Sequence, residues 1–327
     1  GEAHDPILTP GLKGYAPLLQ KQNLDGHVLG FGPSGSGKST AWVVPTLLNW
    51  EGPVVVLDPS GELYDNAGPF RAASGRRQIV VNLRNPETDG INVIDELSQK
   101  NSGETFESIK SMLKLMMPGK DETQSTDQFF KKAGEKFVRC VAVEAVERIE
   151  ACRAAGTPLT LDDIADSVAR LSKERLAEIA DSDSLAARDA ASLLEIAVAD
   201  QTWGGLRVNA DAMTDFLNSP AVRNALAPTD PDRMFSFSEL KDGSADLWIQ
   251  IPIERIRSNP ALARVLIGGL INSIFEGEEK LNQPLLLLID EMPLLQYLEP
   301  LMTGLTNLRK FGVSIFGLCQ GMPQLTK

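Results

Sequence analysis

The sequence predicts an α/β fold, a mostly parallel sheet between helices, interrupted by an all-helical insertion. Three observations carry that expectation. Six short apolar runs, each bounded by Gly, Pro or Asn or by a strand-end acid or amide, have the texture of buried strands. Helical stretches alternate with them, as crossovers between parallel strands require. The runs vanish between about residues 96 and 232, where alanine-rich segments of helical spacing replace them.

Taken in chain order, residues 1 to 26 hold Pro6, Pro10, Gly11, Gly14 and Pro17, punctuation too dense for a helix, and read as an N-terminal arm. Residues 27 to 95 form the first part of the sheet domain: HVLGF at 27 to 31, a helix from Ser39 to Trp50, PVVVLD at 53 to 58 and QIVVNL at 78 to 83. The insertion spans 96 to 232. Within it Val138, Val141, Ala145 and Ile149 share one helical face, and Leu161, Ile164, Val168 and Leu171 share another. Thr160 and Asp163, just after Pro158, have the spacing of a capping box. Residues 233 to 327 resume the sheet with DLWIQIPI at 246 to 253, a helix from Pro260 to about Glu276, PLLLLID at 284 to 290, a helix from about Leu294 to Lys310, and VSIFGLCQ at 313 to 320.

Composition narrows the function. Of 327 residues, 43% are apolar and 23% charged, which excludes a disordered or collagen-like chain. Forty-four acids against 32 bases give a net charge of −12, so a general basic coat for nucleic acid is excluded and any DNA contact must be local. The insertion holds 24 acids and 16 bases, a net of −8, read mainly as a solvated helical surface and alternatively as an acidic docking face. Cys140, Cys152 and Cys319 show no CxxC spacing, which argues against disulfides and thiolate zinc. Only His4 and His27 are available for histidine chemistry. No apolar run approaches the 18 or so residues of a membrane span, so the chain given is expected to be soluble.

Gly32-Pro33-Ser34-Gly35-Ser36-Gly37-Lys38-Ser39 fits G-x-x-x-x-G-K-[ST], after a strand and opening a helix, with Thr40 following. Glycines let successive backbone N–H groups turn in around phosphate oxygens, and the helix N-terminus adds its positive end. Lys38 is then expected to reach the β and γ phosphates and Ser39 to give a hydroxyl to Mg²⁺. The run ending Asp290-Glu291 places two acids where an open parallel sheet binds ligands. There Asp290 suits the Mg²⁺ shell, and Glu291 the orientation or deprotonation of an attacking water. Gln320 ends the last run in the same way and suits a reporter of the γ phosphate. Asp58-Pro-Ser-Gly-Glu62 reads equally as a tight turn and as a part of the site. Arg309 reads as a complement to a helix C-terminus or as an arginine finger for a neighbour's nucleotide. Trp42, Trp50, Trp203 and Trp248 lack interleaved basic residues and read as packing rather than base-stacking platforms.

The ordered set GPSGSGKST, VVPTLLNWEGPVVVLDPSGE, LLLLIDEMPLLQYLEPL and FGVSIFGLCQ resembles the type IV coupling proteins, the TraG/TraD-like hexameric ATPases of conjugation and type IV secretion. The resemblance covers nearly the whole chain. It implies a RecA-like nucleotide-binding domain with an all-α domain inserted in it, using ATP and Mg²⁺. It assigns Lys38 and Ser39 to phosphate and Mg²⁺, Asp290 and Glu291 to the second nucleotide motif, Gln320 to the third, and Arg309 to a finger acting in trans. It implies a homo-hexamer when active and a monomer when the chain is isolated. It further implies a place at the cytoplasmic face of the bacterial inner membrane, beside the inner-membrane components of the secretion system. DNA-relaxase complexes or effector proteins would dock on the all-α domain. Ser60 departs from the lysine usual in the family's turn, and Gln296 from a glycine usual after the acid pair. The family also has an N-terminal anchor and further strands, so the chain is expected to be a cytosolic part of a longer protein. The alternatives are a DNA translocase of the FtsK or HerA kind and a nucleotide-switched receptor module with little turnover.

Overall fold

The computed structural model describes residues 26–33, 35–85, 87–98, 102–116, 125–156, 159–228 and 230–321. The arm expected over 1 to 26 lies outside these residues except for Gly26, as do Ser34 and Pro158. Contacts divide the chain into two compact units, one of Gly1–Asp89 with Phe235–Lys327 and one of Gly90–Met234.

The first unit is built on six strands: β1 Val28–Phe31, β2 Val54–Leu57, β3 Arg77–Asn82, β4 Ala245–Gln250, β5 Leu285–Ile289 and β6 Val313–Cys319. Their order is β1-β6-β5-β2-β4-β3, and every pairing is parallel. β2, β4, β5 and β6 are buried along their whole length. That is why they read as continuous apolar runs rather than alternations. One core cluster joins Val54, Val56, Leu286, Leu288 and Phe316 of the sheet to Val43, Leu47, Leu63 and Ala67 of helices. Gly30 keeps this packing close. A Cβ there would stand 2.7 Å from both Leu318 and Trp42, and Trp42 itself meets Phe316 edge-on at 5.3 Å.

Element ends differ from the sequence reading where backbone chemistry overrides apolarity. β4 stops at Gln250, two residues before Pro252, which cannot donate to a ladder. The helix expected from Ser39 to Trp50 begins as a wide π-type turn over Ser39–Val43 and is α-helical only over Val44–Asn49. Pro45 has no N–H for the carbonyl four residues back, and widening the turn relieves the clash with it. The helix expected from Leu294 to Lys310 is α-helical only over Glu299–Asn307. Tight turns at Met292–Leu295 and Leu308–Phe311 flank it. Gln296 breaks the upstream part, with φ 54° and ψ −155°.

A buried ion pair ties down the starts of the central strands. Arg71 Nε and Nη2 donate to Asp246 at 2.8 and 3.0 Å, and its remaining donors reach the carbonyls of Leu47, Trp50 and Gly52. Asp246 also accepts from the Val54 N–H and from Gln78. With both partners almost fully enclosed, every donor of the guanidinium is matched.

The second unit is helical among the described residues, its longest helix being Ser125–Glu147. Val138, Val141, Ala145 and Ile149 are buried, as are Leu161, Ile164, Val168 and Leu171. Thr160 and Asp163 form the reciprocal capping box their spacing predicts. The unit begins at Gly90, ahead of residue 96, because Gly90 bridges Met234 and the Ile91 N–H reaches Ala225 O at 2.9 Å. Among the described residues, no helix is long and apolar enough to cross a membrane.

Candidate nucleotide site

In a sheet of parallel strands all C-terminal tips share one edge, and the residues that follow them are presented together. Across this edge come the loop after β1, Gln320 after β6, Asp290 and Glu291 after β5, and Asp58 after β2. Because β6 lies between β1 and β5, Gln320 stands between the loop and the acid pair. Ladder bonds continue one residue past the strands. The Gly32 N–H donates to Cys319 O at 3.1 Å, Asp290 N–H to Leu57 O at 3.1 Å and Asp58 N–H to Ile249 O at 3.0 Å.

The loop has the backbone a phosphate cradle needs. Gly35 and Gly37 have φ of 74° and 78°, left-handed values that side chains resist, although a Cβ at either would meet nothing within 4 Å. Gly32 is tightly fitted instead, since a Cβ there would lie 2.9 Å from Ser36 Oγ, which would have to turn away. Lys38 Nζ donates to Gly32 O and to Pro33 O, the latter at 3.0 Å, which holds the ammonium against the loop. Ser39 and the exposed Thr40 open the helix behind it.

On the acid side, burial first and then the charges of Asp58 and Glu291 push the Asp290 carboxyl up to about 6, against the pull of Lys38. A carboxylate held among carboxylates, at the sheet edge that also carries Ser39, is a donor set that would suit a hard divalent cation. Glu291 is itself in left-handed backbone, φ 84° and ψ 63°. Its carboxylate Oε2 accepts from Gln320 Nε2 at 2.8 Å.

Asp58 plays the turn role. It is fully buried and accepts from the Gly61 N–H at 2.9 Å, Tyr64 N–H at 3.0 Å and Ser60 Oγ at 3.1 Å. Ser60 thus closes the turn, and its Oγ also accepts from the Glu62 N–H. Burial raises the Asp58 carboxyl and these backbone donors oppose the rise.

Lys38, Ser39, Asp290, Glu291 and Gln320 are therefore gathered at one edge, and Arg309 is not among them. It is exposed in the turn Leu308–Phe311 ahead of β6, where the Gly312 carbonyl accepts from the Leu285 N–H at 3.0 Å. There its charge joins burial in lowering the pKa of His27. The seven residues of β6, at about 3.3 Å each, separate it from Gln320 by roughly 20 Å. The sequence reading missed the positive φ of Glu291 and Gln296.

Residues 10–327 match the family described as type IV secretory system conjugative DNA transfer. The chain is 28% identical over 324 residues to the type IV secretion system-coupling protein VirD4 of Bartonella quintana, covering 97% of this chain and 50% of that protein. It is 26% identical over 326 residues to the conjugal transfer protein TraG of Agrobacterium fabrum, covering 96% and 47%. It spans about half the length of the curated relatives it matches. In fold it is similar to the plasmid coupling protein TrwB in complex with the non-hydrolysable ATP analogue ADPNP, with TM-score 0.66 and 20% identity over 94% of this chain and 67% of that one. A second TrwB structure, in complex with ADP and Mg²⁺, gives TM-score 0.64 at 19% identity over 94% and 66%.

Proposed function

Since the chain belongs to the type IV secretory system conjugative DNA transfer family, we propose that it is the ATP-hydrolysing part of a coupling protein that drives DNA, protein or both into a secretion channel. The observation that carries this reading is the convergence of the glycine loop, Lys38, Asp290 and the Glu291–Gln320 pair on one sheet edge. Relatives named for coupling and structures that hold ADPNP or ADP with Mg²⁺ support it.

In this reading the loop amides from Gly32 to Lys38 and the Lys38 ammonium hold the phosphates, the adjoining Ser39 and Thr40 lie against them, and Ser39 with Asp290 holds Mg²⁺. The bound ion supplies charge neutralisation at the transferring phosphoryl group. Glu291 takes the proton of the attacking water, and Gln320, donating to Glu291, orients the carboxylate and that water. Arg309 serves the site of the next subunit in a homo-hexamer. The helical unit receives a DNA-relaxase complex or effector proteins at the cytoplasmic face of the inner membrane, next to the channel's own inner-membrane components.

The test is ATP turnover per subunit as protein concentration rises, with and without single- and double-stranded DNA. Turnover should rise steeply with concentration and fall by at least about 100-fold in Lys38→Ala, which removes a transition-state charge contact. ATP binding with flat, negligible turnover under all these conditions would point to the receptor module instead.

A further inference from the structure

Eleven residues of the helix Ala261–Glu276 are buried, and Arg264 is the one charged side chain among them, 4% exposed. Burying a guanidinium is expensive, and a methionine or leucine would fill such a place at less cost. Burial pulls its pKa down. What the arginine gains is a pair of acceptors on the chain just after the acid pair. Its Nη1 donates to Tyr297 O at 2.8 Å and to Leu295 O at 3.3 Å.

Those two carbonyls flank Gln296. Its φ of 54° with ψ of −155° lies in a region that residues other than glycine essentially never enter. At the other end of the same short segment stands Glu291, with φ 84°. Between the two runs one tight turn, Met292–Leu295, opened by Pro293 and closed by Gln296 N–H to Pro293 O at 3.1 Å. Strained backbone of this kind persists only where its surroundings over-determine it. At the Glu291 end the fixing contact is Met292, whose sulfur lies against Gly317 of β6, 2.7 Å from where a Cβ would be. At the Gln296 end it is Arg264.

We propose that Arg264 is a positioning residue for hydrolysis: by clamping the carbonyls on both sides of Gln296 it holds the strained turn and thereby sets the Glu291 carboxylate against Gln320. The assignment rests on the hydrolytic reading above. Both bonds leave the one nitrogen Nη1, and a lysine ammonium also has donors for two carbonyls, but on a flexible stem without the planar guanidinium that fixes the N–H directions, so it holds them less rigidly.

The test compares Arg264→Met and Arg264→Lys with the unaltered chain in ATP turnover and in amide hydrogen exchange. Displacing a reacting group by an ångström or less is enough to cost up to 100-fold. Arg264→Met is therefore expected to lower kcat about 10- to 100-fold with KM for ATP unchanged, since the loop and Lys38 are untouched. Exchange should accelerate over Met292–Leu298 and not over the glycine loop. Arg264→Lys should fall between the two in both measurements, and it carries the test should Arg264→Met lose its cooperative unfolding transition. A full kcat in Arg264→Met overturns the assignment. So does exchange that accelerates evenly throughout the first unit, the mark of a merely structural arginine. An unaltered chain that binds ATP without hydrolysing it fells the hydrolytic reading, and the role of Arg264 with it. Turnover that is normal in the unaltered chain and undiminished in the variant fells the role of Arg264 alone.

Discussion

Asp290 stands among the carboxylates of Asp58, Glu291 and Glu62, with the Lys38 ammonium opposing them. Its carboxyl is at about 6 in the folded chain against an ordinary 3.8, so between those values the native state binds a proton that the unfolded state has lost. Stability therefore falls as pH rises from about 4 to about 6, and above that the ionised group leaves a deficit on the order of 3 kcal/mol. Asp290→Asn should then raise the unfolding midpoint of the metal-free protein at pH 7.5 and flatten this pH dependence. Mg²⁺ should stabilise the unaltered chain and not the variant. Asp58 is raised too and both chains keep it, so their difference reports Asp290 together with its repulsion of Asp58. Equal midpoints at pH 7.5 in chelator would refute this account of the acid pair. Gln296 invites the opposite kind of substitution. Gln296→Gly removes a strained dihedral worth about 1–3 kcal/mol and loses part of that gain to the freer unfolded chain, so urea unfolding should show a net gain of about 1 kcal/mol. A loss instead would mean that the glutamine side chain holds the loop. The identities of Lys38, Asp290, Glu291 and Gln320 were legible because each closes an apolar run or a glycine loop. The left-handed backbone at Glu291 was not, because the contact beside it, Met292 against Gly317, joins positions far apart in sequence.

At the scale of elements, β2, β4, β5 and β6 were legible for a physical reason: strands buried along their whole length are near-continuous apolar runs, and such runs stand out. Their ends were not, since Pro252 and the π-type turn before Pro45 depend on missing N–H groups rather than on hydropathy. The Arg71–Asp246 pair was equally hidden, its partners lying 175 positions apart. This pair joins the helix Glu62–Ala72 and the chain from Leu47 to Gly52 to the starts of β2, β3 and β4, with Gln78 passing the contact on to Trp248. Asp246→Ala leaves a buried guanidinium without its counter-ion and should cost about 3–5 kcal/mol in chemical unfolding. Replacing both partners by apolar residues of similar volume should cost clearly less, because the unpaired charge disappears along with the pair. If the single and double replacements are equally damaging, shape rather than charge is what the pair contributes.

At the scale of the whole molecule, acidity and the position of one arginine bear on assembly. The net of −8 in residues 96 to 232 is what remains after its 16 bases are counted, and the pairs of Arg139 with Asp189, Arg175 with Glu144 and Glu178, and Arg223 with Asp162 leave it unchanged. Arg309 is the sharper case, because it lies at the strand starts while the phosphate loop and the acid pair lie at the strand ends. At roughly 20 Å from Gln320 it is too far to reach the nucleotide of its own subunit, whatever rotamer it takes. A finger so placed can act only across a head-to-tail interface, where one subunit offers its strand starts to the strand ends of the next. Lys38→Ala and Arg309→Ala should each be inactive alone, and for different reasons: the first fails at its own site and the second at its neighbour's. Mixed in equal amounts they should recover turnover at about one site in four, because random neighbours across such an interface join an intact Lys38 to an intact Arg309 at that frequency. A mixture as inactive as its parts would show that Arg309 does not act across subunits. Arg309→Ala with undiminished turnover would leave it only the duty of closing a helix.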